Sequence, residues 1–149
     1  MPDHLENALE LLEPHPDCVA TFSNFLAGWS PSSPLFDAQK SWRVWVSSGC
    51  DLSRPVLWLE KANVLLACLL HSTFHYSTVV ARKDAFWEAF CKMVAVDNPW
   101  DNERIFPVFL NGLGPIGYVT RHAAVIREHP GQDGSAPWFR AQGFGEMRI

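Results

Sequence analysis

The stretch RIFPVFLNGLGPIGYV, Arg104 to Val119, bears most heavily on the fold. Two runs rich in β-branched and aromatic residues, Arg104 to Leu110 and Pro115 to Val119, flank Asn111-Gly112-Leu113-Gly114. Asn-Gly between such runs favours a tight turn, so the segment reads as a β-hairpin. Pro107 confines the first strand to a sheet edge, because proline has no N–H to give to a ladder. The glycines do not make a phosphate loop: neither GxxxxGK[ST] nor GxGxxG occurs, and Gly114 precedes Pro115 instead of opening a helix.

Upstream, Asp84 is placed to cap an amphipathic helix with Phe86, Phe90, Met93 and Val94 as its apolar stripe and Lys83, Glu88 and Lys92 toward water. Pro99 marks its exit. Ser77 to Ala81 and Val56 to Leu59 read as short strands, and the Leu- and Ala-rich run from Lys61 to His71 as a buried helix. Ser41 to Ser47 has two readings. As a strand it divides Trp42, Val44 and Val46 from Arg43 and Trp45; as a helix begun at Pro34 it aligns Leu35, Ala38, Trp42 and Trp45. The density of aromatic and β-branched residues favours the strand.

At the N-terminal end, Asp3 and Glu6 have capping-box spacing before Leu5, Ala8, Leu9 and Leu12, a helix that stops at Pro14. A second helix is expected from about Pro16 to Gly28, with Val19, Phe22, Phe25 and Leu26 inward. Thr120 is placed to cap a short final helix through Ala123, Ala124 and Ile126 to His129, and Trp138 to Phe144 supplies a last strand. The expectation is one compact α+β domain over residues 1–149, with helices packed on a small, mainly antiparallel sheet. An all-α fold is the alternative.

Composition sets the class. Apolar residues make up 48% of the 149 and charged residues 19%, enough hydrophobic area to offset the ordering entropy of a folded chain. A formal charge of −4 supplies no basic stripe, so direct nucleic-acid binding is not expected. Cys18, Cys50, Cys68 and Cys91 form no CxxC pair and no disulfide framework, which fits a reducing compartment. No basic segment precedes an apolar one at Met1-Pro2-Asp3-His4, and no uncharged run reaches the roughly 20 apolar residues that span a bilayer. The expected location is the cytoplasm.

Two constellations have ligand-bearing residue types. Cys68, His71 and His75, at spacings of three and four, would share one helix face and could hold zinc through a thiolate and two imidazoles. Without an HExxH pattern, and in so apolar a segment, a buried thiol with two histidines hydrogen-bonded near the helix end is the favoured reading. Asp97, Asp101 and Glu103 cluster around Pro99 and Trp100, where they read as solvated turn acids or as an acidic rim for a basic partner. No GxSxG elbow or cysteine-nucleophile signature is present, and no catalytic residue is assigned.

Seven tryptophans remain. Trp58 and Trp87 sit within regular apolar stretches and read as core, whereas Trp29, Trp100 and Trp138 lie beside Pro or Gly at element ends, where loops reach the surface. Trp45 joins them if the strand reading holds. Exposed tryptophan and an acidic rim together suggest a protein-binding module: a small inhibitor, immunity or anti-defence factor, or adaptor whose partner presents a basic surface. The alternative is a small enzyme or zinc protein using the Cys/His cluster or an unrecognised pocket.

Overall fold

The strands that organise this protein come from opposite ends of its sequence. The computed structural model describes residues 3–28, 34–37, 51, 53–62, 64–65, 74–96 and 102–127. They contain the helices α1 (His4–Leu12), α2 (Lys83–Ala95) and α3 (Asn102–Leu113). Residues 61–62 and 64–65 are also helical, and Tyr76–Thr78 form a 3-10 turn. The strands are β1 (Ala20–Gly28), β2 (Phe36–Asp37), β3 (Val56–Leu59), β4 (Val80–Ala81) and β5 (Ile116–Arg127). They form one mixed sheet in the order β2-β1-β5-β3, with β4 beside the start of β1. The fold is α+β. The β1–β2, β1–β4 and β3–β5 pairings are antiparallel, while the long central β1–β5 pairing is parallel.

The hairpin expected over Arg104 to Val119 does not form; its first half is α3. Phe106 and Leu110, four apart, are both buried, with Leu113 packed at the edge of the core, so a helical period outweighs the strand propensity of the same residues. Pro107 lies inside the helix, where its missing N–H forgoes one backbone hydrogen bond. The Asn-Gly pair falls in the last helical turn, and Gly114 follows the helix with Pro115 after it, an ordering common at helix ends. Gly114 is required by space: a Cβ there would meet Val19 Cγ1 at 2.6 Å and the Asp17 carbonyl oxygen at 2.8 Å.

Two other expected helices are strands. Residues 20–28 form β1, in which Ala20 and Phe22 enter the main core while Ser23 turns to the opposite side beneath α1. Ala20 to Phe25 are all buried, as befits a strand covered on both faces; the helical spacing of Phe22, Phe25 and Leu26 was coincidental. Residues 120–127 continue β5, and Thr120 caps no helix: its hydroxyl donates to the Arg54 carbonyl at 2.8 Å. The strand at Val56–Leu59 and the helices at His4–Leu12 and Lys83–Ala95 lie where the sequence placed them; of the strand expected over Ser77 to Ala81 only Val80–Ala81 forms, Ser77 and Thr78 belonging to the 3-10 turn. The helix starts differ in detail. Asp3 makes no side-chain cap; its carbonyl accepts from the Asn7 backbone and side-chain amides, and Arg82 rather than Asp84 precedes α2.

The main core lies between the sheet and the α2–α3 pair. It joins Phe22 of β1, Leu57 and Leu59 of β3, and Ile116 and Tyr118 of β5 to Met93, Phe106 and Leu110. Phe74 meets Phe22 edge to face at 4.8 Å and Tyr118 at 6.3 Å. Each such buried aromatic contributes about 1.5–3 kcal/mol of transfer free energy. On the opposite face α1 buries Ala8 and Leu12. Arg82 ties this layer to the other: Nε donates to the Cys18 carbonyl at 2.8 Å and Nη2 to the Leu12 and His15 carbonyls. A guanidinium on carbonyls at the end of α1 also complements the negative pole of that helix.

Candidate functional site

Two surfaces draw side chains together, one on each face of the sheet. The first is the outer side of α2. Ala85, Ala89 and Met93 point inward to the core, leaving the large aromatics outside. Trp87 is 56% exposed and Val94 59%, with Phe86 and Phe90 exposed beside them. Phe86 and Phe90 stack nearly parallel at 6.2 Å, Trp87 meets Phe90 at 5.7 Å, and Phe86 meets Phe106 at 5.2 Å. Tyr76, Val79, Phe86, Phe90, Met93 and Phe106 line an apolar groove of about 350 Å³. One polar group there, the Tyr76 hydroxyl, rests on Met93 Sδ at 3.5 Å.

The expected apolar stripe of α2 is therefore largely reversed. Of Phe86, Phe90, Met93 and Val94, only Met93 is buried, and the expected core residues Trp58 and Trp87 are both exposed. Trp58 lies over Gly117 and meets the His15 ring edge to face at 4.7 Å. It borders a second, shallower groove lined by Pro14, Pro16 and Pro115.

The second surface is polar and begins with a disturbance of the β1–β5 register. Val119 pairs with Ser23, His122 with Asn24 and Ala124 with Phe25, so β5 carries Thr120, Arg121 and Ala123 as extra residues. Such bulges bend a strand and re-aim its side chains. Asn24 repairs the ladder. Its Nδ2 donates to the Thr120 carbonyl and to Asp37 Oδ1, and its Oδ1 accepts from the Phe25 N–H. Asp37 Oδ2 lies 3.1 Å from His122 Nε2. Burial, followed by the nearby Asp37 charge, pushes the Tyr118 phenol far above its ordinary range. Between this network and α1 is a cleft of about 100 Å³, lined by His4 and Asn7 from α1, Ser23 from β1, and Arg121 and His122 from β5. Ser23 Oγ is 3.4 Å from His4 Nδ1.

Trp29, Trp45, Trp100, Trp138, Asp97, Asp101, Cys68 and His71 fall outside the described residues, and Glu103 is in the first turn of α3. His75 caps the 3-10 turn with an extended backbone; its Nδ1 accepts from the Ser77 N–H at 3.1 Å and its ring tilts against Phe25. Among the described residues no group of three His, Cys, Asp or Glu side chains is placed to hold a metal ion. None of their helices is long and apolar enough to cross a membrane.

Sequence reasoning missed His4, Ser23, Asn24, Asp37 and His122. They come from four separate elements, and no local spacing joins them. One signal was available: Ser23-Asn24 places two polar residues inside an apolar run, where buried polar groups need partners. No protein-family model, curated protein or solved structure matches this chain.

Proposed function

We propose that this protein is a binding module that captures another protein on the outer face of α2, acting as an inhibitor, an immunity or anti-defence factor, or an adaptor. The observation that carries the reading is the contiguous exposure of Trp87, Phe86, Phe90 and Val94 beside the Tyr76–Phe106 groove. Isolated exposed apolar residues are ordinary, but a grouped aromatic surface characterises interaction sites, and Trp and Tyr dominate binding hot spots. The proposed partner is a basic protein that inserts an apolar side chain into the groove. Its basic character is argued from the −4 charge of the chain. Such an acidic field steers a basic partner, while desolvation of the aromatics supplies the affinity. The exposed thiol of Cys91 suits a reducing compartment, so the cytoplasm is the proposed location.

The test compares the proteins retained from host extract by the wild type with those retained by Trp87→Ala and Phe90→Ala, each checked for an unchanged thermal midpoint. A basic protein retained by the wild type, lost by more than about tenfold in both variants and released by salt is the expected result. Retention indifferent to both substitutions, or a retained partner that is acidic and insensitive to salt, overturns the reading.

A further inference from the structure

The cleft between α1 and the bulged strands is separate from the α2 face and brings together groups that the binding role leaves unused. Ser23 is only 2% exposed, yet it lines the cleft, and its Oγ sits 3.4 Å from His4 Nδ1. A nucleophile needs a base within reach, and such contacts are commonly long before substrate arrives. The second imidazole of the cleft, His122, has its Nε2 held 3.1 Å from Asp37, and Asp37 is itself fixed by Asn24. Arg121 and the Asn7 amide at the rim provide donors near any oxygen that becomes negative.

From this arrangement we infer that the cleft is a nucleophilic site, in which Ser23 attacks a short-chain acyl ester with His4 as its base. Ser23 Oγ bonds to the carbonyl carbon as its proton passes to His4 Nδ1. The carbon–oxygen bond to the alcohol then breaks, and His4 returns the proton to the departing alkoxide. Water completes the cycle: it gives a proton to His4, adds to the acyl carbon and releases the acid, and Ser23 Oγ leaves with that proton. A cleft of about 100 Å³ admits an acyl group of two or three carbons and little more. Burial, aided by the positive amino terminus, holds the His4 imidazole below its ordinary range, which keeps it uncharged and able to accept a proton near neutrality. The charged and titratable groups around it are Asp3 on its own segment and Arg121 and His122 on β5, with Asp37 behind His122.

The test treats the full chain with a fluorophosphonate, which phosphonylates activated serines, and locates the adduct by peptide mass spectrometry. One adduct at Ser23, absent in Ser23→Ala and formed about 100-fold more slowly in His4→Gln, is the expected result. The rate should rise with pH through an inflection below 6.5, a readout that a packing role for His4 would not produce. His4→Gln retains a hydrogen-bonding side chain. No adduct at Ser23 in the folded wild type overturns the proposal, as does an adduct rate indifferent to His4→Gln.

Discussion

The two faces of the sheet are covered in opposite ways. Beneath α2 and α3 the packing is almost wholly apolar, and aromatic side chains remain outside once the core is filled. Beneath α1 the helix contributes Ala8 and Leu12, and much of the remaining attachment is polar: the Asn24–Asp37–His122 network below and the Arg82 clamp at its end. The difference separates two uses of residues. Trp87 on the first face stands outside the core, whereas Asn24 on the second is buried and hydrogen-bonded at the bulge.

Substitutions sharpen or break that contrast. The largest effect is expected for Asn24→Leu, which removes the amide's hydrogen bonds with the Phe25 N–H, the Thr120 carbonyl and Asp37 at a buried bulge. A loss of about 3 kcal/mol in urea unfolding is predicted. A loss below about 1 kcal/mol would mean that water replaces the amide and that the network is not structural. Arg82→Ala should cost about 2 kcal/mol by the same measurement, because three carbonyls at the turn after α1 lose a charged donor.

A smaller effect concerns pH. The His4 pKa is lowered on folding, so the unfolded chain binds the proton more readily. The associated stability is complete above 6.5 and is lost as pH falls below 6.5 through the folded-state value. Thermal midpoints should accordingly fall less from pH 7.5 to 5.5 in His4→Gln than in the wild type. The smallest effect belongs to the other face: Trp87→Ala should change unfolding free energy by less than about 0.5 kcal/mol. A cost of several kcal/mol there would make the aromatic face part of the core.

The legible parts of the sequence were those in which one periodicity ruled. In α1, Ala8 and Leu12 recur against Glu6, Glu10 and Glu13, and the run that forms α2 is closed by Pro99. Residues 104–119 misled because Ile105, Val108 and Phe109 suit either state, and Asn111-Gly112 serves a helix end as readily as a hairpin. Residues 20–28 misled because Phe22, Phe25 and Leu26 satisfy a helical spacing, while burial on both sides hides the alternation of a strand. The direction of α2 was misjudged on size: Phe86 and Phe90 outweigh Ala85 and Ala89 in any hydrophobic pattern, yet the alanines are the residues turned to the core. The polar cleft could not be read locally, since Ser23, Asp37 and His122 meet only through strand pairing.

The parallel pairing of β1 with β5 sets a condition on biosynthesis. Ala20 is matched to Ile116 and Gly28 to Arg127, so the central ladder has no partner until the end of β5 has left the ribosome. For most of its translation the nascent chain carries β1, with Phe22 and Phe25, without the long strand that flanks it in the finished sheet. Folding of the sheet is thus a late, post-emergence event, and a chain terminated before Ile116 would display that strand to chaperones and to other copies of itself.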